Sequence, residues 1–121
     1  MRKLTKPQVE ILRHRLDSGV VADVLIESDI CTELADAEEA VAAVRDYVEN
    51  GELPEADALR ALEIEVLADC LDGCTFFAGI EDAVATGELT RGASLSFFKA
   101  AGQLEVLISD LCGRQVDCVT F

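Results

Sequence analysis

Chemistry in this sequence would have to come from 5 cysteines, 1 histidine and 24 carboxylates. His14 sits in a basic stretch, Arg13-His14-Arg15, with Glu10 at helical spacing. A nucleophile–base–orienter triad needs its base held beside a Ser or Cys. Nothing in the spacing holds His14 that way, and it reads as solvent-facing. Cys70 and Cys74 lie four apart, and Cys112 and Cys118 follow later, so two thiol pairs are available of the kind that structural zinc sites use. The usual knuckle is CxxC with a turn that points both sulfurs inward. Here Asp72-Gly73 separates the first pair and no turn signature accompanies the second. Free cysteines behave as small buried hydrophobes, and Cys70 and Cys112 already fall on apolar helical stripes. The glycines form neither GxGxxG nor a phosphate-binding loop, and the carboxylates are too numerous for one pair to stand out as acid and base. The expectation is a protein that is not an enzyme and uses no metal or cofactor.

The carboxylates matter collectively. The formal net charge of -14 is unevenly placed. Residues 1–15 hold five Lys or Arg against one Glu, residues 16–89 hold twenty Asp or Glu against two Arg, and residues 90–121 hold three of each sign. Phosphates need cations to neutralise them, so direct binding to nucleic acid is not expected, nor is attraction to anionic membrane. A basic protein partner is the class such a field favours. The candidate partner-binding residues are Glu38, Glu39, Asp46, Glu49, Glu52 and Glu55, which run from a helix into the turn around Pro54. Carboxylates on successive helical turns are spaced about 5 to 11 Å along the axis, a scale similar to that of backbone phosphates. A rigid face of this type can occupy and block a basic nucleic-acid groove on another protein. The plain alternative is that the charge only keeps an apolar domain in solution. A salt-adapted source is a third reading, against which the hydrophobic fraction of 50% and the five cysteines count.

Helices must position these residues. Residues 94–112 are organised around Phe97, Ala101, Leu104, Ile108 and Leu111, which follow at steps of four, three, four and three. Phe98, Leu107 and Cys112 widen that seam so far that the helix is expected to be surrounded, with a second backbone passing close to Gly102. Gly79 is read in the same way, as a close-packing position. Thr5, Pro7 and Gln8 open a first helix that ends at Asp17-Ser18-Gly19. Residues 20–27 read as helix, although their apolar run would also pass as a strand, and Ile30, Cys31 and Leu34 read as a packed connector. Residues 36–50 form a helix capped by Asp36 with Glu39 and closed by Gly51. Residues 55–71 form another, with Arg60 and Glu63 paired between two apolar stripes. Residues 75–86 give a shorter helix, and Thr90 or Ser94 caps the last. Residues 114–121 alternate like a strand with no ladder to join. They are expected to lie across the bundle with Phe121 tucked in or to pair with another chain.

The fold class expected is all-α: one domain over residues 1–121, a compact bundle of about five helices with residues 91–112 central and a short extended tail. No apolar run approaches the roughly 18 residues of a membrane span. Met1 to Pro7 leads into no apolar signal region, and an odd, irregular set of cysteines suits a reducing cytoplasm. In size and charge the chain resembles small acidic helical proteins of phage and mobile elements that inhibit host defence nucleases. That resemblance is one of type and assigns no residue. The function expected is a non-enzymatic inhibitor or binding module for a basic protein. The alternative is a helical adaptor, subunit or homo-oligomer that assembles through apolar packing.

Overall fold

A computed structural model describes residues 2–74 and 76–118. Helix α1 (Lys6–Asp17) starts where its cap permits: the Gln8 N–H donates to Thr5 Oγ1 at 3.4 Å, the Thr5 N–H donates back to Gln8 Oε1 at 2.9 Å, and Pro7 occupies the first turn. Helix α2 (Val21–Glu27) settles the ambiguity of that segment in favour of helix, burying Val21 and Leu25. Helix α3 (Leu34–Asn50) begins two residues earlier than its expected cap. The Glu33 carbonyl accepts the Asp36 and Ala37 N–H groups at 3.1 and 3.2 Å, so Asp36 falls inside the first turn. There its charge opposes the positive end of the helix dipole without capping it. Gly51, at φ 73°, ends α3 in the left-handed conformation that glycine adopts without a Cβ penalty.

The fold class is as expected, all-α: among the described residues, five α-helices of seven residues or more and one of six. The exception is a two-residue antiparallel pair, β1 (Arg2–Lys3) and β2 (Glu52–Leu53), in the register Arg2 to Leu53 and Lys3 to Glu52. Strands this short cannot show alternation, so pattern reading misses them. The pairing ties the N-terminus to the end of α3 and sinks Leu53 into the core.

Helix α4 (Ala61–Asp72) is shorter than the sequence pattern suggests. Residues Ala56–Ala58 form a 3-10 turn, and Leu59 is extended at φ -94°, ψ 136°, which turns its side chain into the core and leaves Arg60 as the cap. Likewise, the helix expected over 75–86 divides into a 3-10 turn at Phe76–Gly79 and α5 (Ile80–Ala85). Phe76 and Phe77 pack on Phe97 and Phe98 with ring centroids 4.9 Å apart in each pair, and His14 meets Phe76 edge-on at 5.7 Å.

The centre of the bundle is α4, not α6 (Arg91–Cys112). Helix α4 buries Val66, Leu67, Ala68, Cys70 and Leu71 and packs against α1, α2, α3 and α6. Helix α6 is capped by Thr90, which accepts the Ala93 N–H at 3.1 Å, and packs one face on α1 and α4 through Ala100, Ala101, Leu104 and Ile108. Its other face is wet: Leu95 and Val106 are 65% and 66% exposed. Gly102 is exposed, and nothing lies within 4 Å of where its Cβ would stand; the same holds for Gly79. Neither is a close-packing position. The apolar circumference of α6 therefore exceeds what its neighbours cover.

After Gly113, residues 114–118 turn back as a strap, with no strand pairing among the described residues. The Val116 N–H donates to Ser109 Oγ at 2.9 Å, and the Ser109 hydroxyl donates to the Val116 carbonyl at 3.3 Å, which holds Val116 fully buried. The expected burial of Phe121 lies outside the described residues. Among those described, no helix is long and apolar enough to cross a membrane.

Candidate partner-binding groove

Most of the carboxylates that touch the core are already engaged. Arg15 is largely buried and held by Asp69 at 3.2 Å, because α4 crosses that side of α1. Glu63 is 2% exposed and accepts three hydrogen bonds: from Arg60 Nε at 2.7 Å, from the Arg60 N–H at 3.3 Å and from the Tyr47 hydroxyl at 3.3 Å. Burial, followed by the Glu63 charge, raises the Tyr47 phenol above its ordinary value. Arg114 reaches Asp72 at 3.4 Å and Glu65 at 3.7 Å.

The six carboxylates predicted from the sequence do not act as one surface. Glu38, Glu39, Asp46 and Glu49 share the outward side of α3, as their spacing requires. Two of them are neutralised there. Glu49 takes Arg13 of α1 in a two-pronged pair at 3.0 Å for both bonds, and Glu39 takes Arg60 at 3.0 Å. Glu52 is half-buried in β2 opposite Lys3, and Glu55 lies beyond Pro54 at the 3-10 turn. Only Glu38 and Asp46 remain together on an open site.

That site is a groove of about 480 Å³ between α2 and α3. Its floor is apolar, made by Leu16, Val21, Ala22, Leu34 and Val41, and its acidic rim is Asp23, Glu38 and Asp46. Arg45 stands in one wall but is fixed by Asp17 at 2.6 Å and the Leu16 carbonyl at 2.7 Å. A hollow of about 240 Å³ continues the groove past the shared Asp23 and Leu34 to Ile26, Glu27 and Thr32. Among the described residues, Asp23, Glu27, Glu38 and Asp46 meet no Lys or Arg in an ion pair. Val20, Ile30 and Leu34, at the ends of α2 and the start of α3, are exposed large hydrophobics. The connector expected to pack Ile30, Cys31 and Leu34 buries Cys31 alone. Asp29 turns that connector at φ 59°, the single non-glycine residue at positive φ among those described.

Asp23, Glu27 and Leu34 were not among the residues predicted. The available signal was Ile30 and Leu34 within an acidic segment, which a pattern reading assigns to packing. His14 contacts the Phe76 ring edge-on. Among the described residues, no group of three or more His, Cys, Asp or Glu is arranged to hold a metal ion. Comparison of the chain with protein-family models, with curated proteins and with solved structures gave no match.

Proposed function

We propose that the protein is a non-enzymatic binding module whose α2–α3 groove engages a basic protein, with an apolar side chain of the partner on the floor and Lys or Arg on the rim. What supports this reading is a rim of carboxylates without ion pairs around an apolar floor at which Leu34 is exposed, while Arg13, Arg15, Arg45, Arg60 and Arg114 are already held by other acids. Glu38 and Asp46 stand about 12 Å apart along α3, and like charges gathered on one rim attract an incoming cation. The basic surface of a nucleic-acid-binding protein is the partner class that suits this field, and occupying that surface would displace nucleic acid from it. A reducing cytoplasm is the compartment that suits five free thiols.

The test is capture of partners from the source cell's lysate on the tagged protein at low and high salt, beside the triple variant D23K/E38K/D46K. A basic partner released by salt and lost with the variant supports the reading. A partner retained by the variant overturns it.

Leu95 and Val106 favour a second reading, in which the open face of α6 packs on another subunit or on a second copy. Screening weakens an electrostatic contact and leaves an apolar one largely intact, so salt resistance selects this alternative.

A further inference from the structure

We propose that the cavity between α5 and the first turns of α6 binds a small zwitterion with an apolar body: an α-amino acid whose side chain is aliphatic or aromatic. The site lies on different elements from the α2–α3 groove and does not depend on it. Helices α5 and α6 form a hairpin closed at both ends. At its turn the Leu89 N–H donates to the Ala83 carbonyl at 3.1 Å, and at its far end Phe77 stacks on Phe98 with centroids 4.9 Å apart. Between these closures lies a cavity of about 430 Å³, within the range of about 300 to 1,000 Å³ that small-molecule sites occupy. Ile80 and Val84 line it from α5, and Leu95 and Phe98 from α6.

The polar groups of this cavity are left over from folding. Ser94 is 7% exposed and lines the cavity, yet its hydroxyl makes no hydrogen bond among the described residues. A helical serine can turn back to the carbonyl four residues earlier, as Ser96 does to Gly92 at 3.2 Å. Among the described residues no fully enclosed polar side-chain atom lacks a partner, so the Ser94 hydroxyl opens to the cavity. Arg91, three residues earlier on the same side of α6, lines the cavity too, and Glu81 enters from α5. Neither makes an ion pair among the described residues. Two other hollows also contain an arginine, and there the fold has used it. Arg45 at the α2–α3 groove is held by Asp17, and Arg60 at a hollow of about 250 Å³ beside α3 is held by Glu39.

An apolar wall, an unpaired cation, an unpaired acid and an open hydroxyl together select the ligand. A simple anion would meet Glu81 and would enter against a net charge of -14, with Asp82 and Glu88 in the same hairpin. A simple cation would leave Arg91 unmet. A zwitterion carries no net charge and answers both groups: its carboxylate accepts from Arg91 and the Ser94 hydroxyl, and its ammonium donates to Glu81. Its side chain then covers Leu95, which is 65% exposed, and rests on Phe98.

The experiment titrates the isotope-labelled full chain with L-phenylalanine and follows its amide resonances. Saturable shifts should gather on α5 and the first turns of α6. Phenylpropionate lacks the ammonium and phenylethylamine lacks the carboxylate, so each should bind at least about tenfold more weakly than the amino acid. Glu81 and Arg91 are exposed, so E81Q and R91Q should keep the fold. E81Q should erase the preference for phenylalanine over phenylpropionate, and R91Q the preference over phenylethylamine. The comparison of the three ligands uses the wild-type chain and stands whatever the variants do. No saturable shift at millimolar ligand, shifts centred on the α2–α3 groove, or equal binding of either analogue overturns the proposal.

Discussion

Carboxylates around α4 and carboxylates around α2 are handled in opposite ways. At α4 each buried acid has a partner: Asp69 holds Arg15 at 3.2 Å, and Glu63 gathers Arg60 and Tyr47. The two acids are buried, and removing a partner would leave them with an unmet charge. At α2 and the facing side of α3, Asp23, Glu27, Glu38 and Asp46 make no ion pair among the described residues, and the groove they rim has an apolar floor at which Leu34 is exposed. Folding has used charge at the first region to fix side chains. At the second it has left charge unspent, together with hydrophobic surface, the combination that an interface would neutralise and cover.

The comparison breaks most visibly at the core. Leu67 is fully buried on α4 and Leu34 is 46% exposed at the groove. Leu67→Ala should cost about 3 to 4 kcal/mol through lost burial and the cavity left behind. Leu34→Ala should cost no more than about 0.5 kcal/mol. Urea unfolding of the two variants measures the contrast, and comparable losses would mean that Leu34 belongs to the core after all.

Charge reversal sharpens it next. D23K/E38K/D46K should weaken capture of a basic partner by at least about 100-fold, equivalent to about 2.7 kcal/mol. Its unfolding free energy should stay equal to that of the wild type or rise slightly, because like-charge repulsion is removed. A binding titration and an unfolding curve on the same sample separate the two effects. Lost binding that came with lost stability would assign these acids to the fold.

A smaller effect is expected at the paired region. Glu63→Ala leaves the Tyr47 hydroxyl and the Arg60 backbone N–H without their acceptor and should destabilise the protein by about 2 kcal/mol, while the exposed Arg60 guanidinium keeps Glu39. The same network gives a pH signature. The Tyr47 phenol is raised in the folded state, so its contribution to stability is complete below its ordinary value of 10.0 and is lost as pH rises beyond it. Tyr47→Phe should flatten that alkaline decline, which unfolding curves between pH 9 and pH 11, bracketing the value of 10.0, would register.

How much of this was legible in the sequence follows from range. Short-range signals read true: the Thr5–Gln8 cap, the Gly51 stop, the Thr90 cap and the Arg60–Glu63 pair all lie within three or four residues of their partners. The choice of central helix did not read true, since apolar circumference records what a helix could bury and not what its neighbours cover. Helix α6 has the longer seam, yet Leu95 and Val106 face water. The candidate site was half legible. Composition located the acidity in the middle of the chain and spacing put four acids on one side of α3. Their neutralisation depends on Arg13 and Arg60, 36 and 21 residues away, which no local pattern contains. Asp23 was missed for the same reason: its relation to Glu38 exists only once α2 packs on α3.

The smallest expected effect is the most discriminating, because it concerns acids that look the same in sequence. Glu39 and Glu49 share the outward side of α3 with Glu38 and Asp46, but each already holds an arginine. Neutralising them in E39Q/E49Q removes two exposed ion pairs, each worth about 0 to 1 kcal/mol, so stability should change by less than about 1 kcal/mol in total. Partner capture should change by less than about threefold, since neither Glu39 nor Glu49 lines the groove and the variant removes only charge that was already balanced. The matched variant E38Q/D46Q removes the same number of charges from the same helix and should weaken capture by at least about tenfold. If net charge alone drove binding, the two double variants would be equally impaired. A difference between them would show that pairing within the fold decides which carboxylates a partner can use.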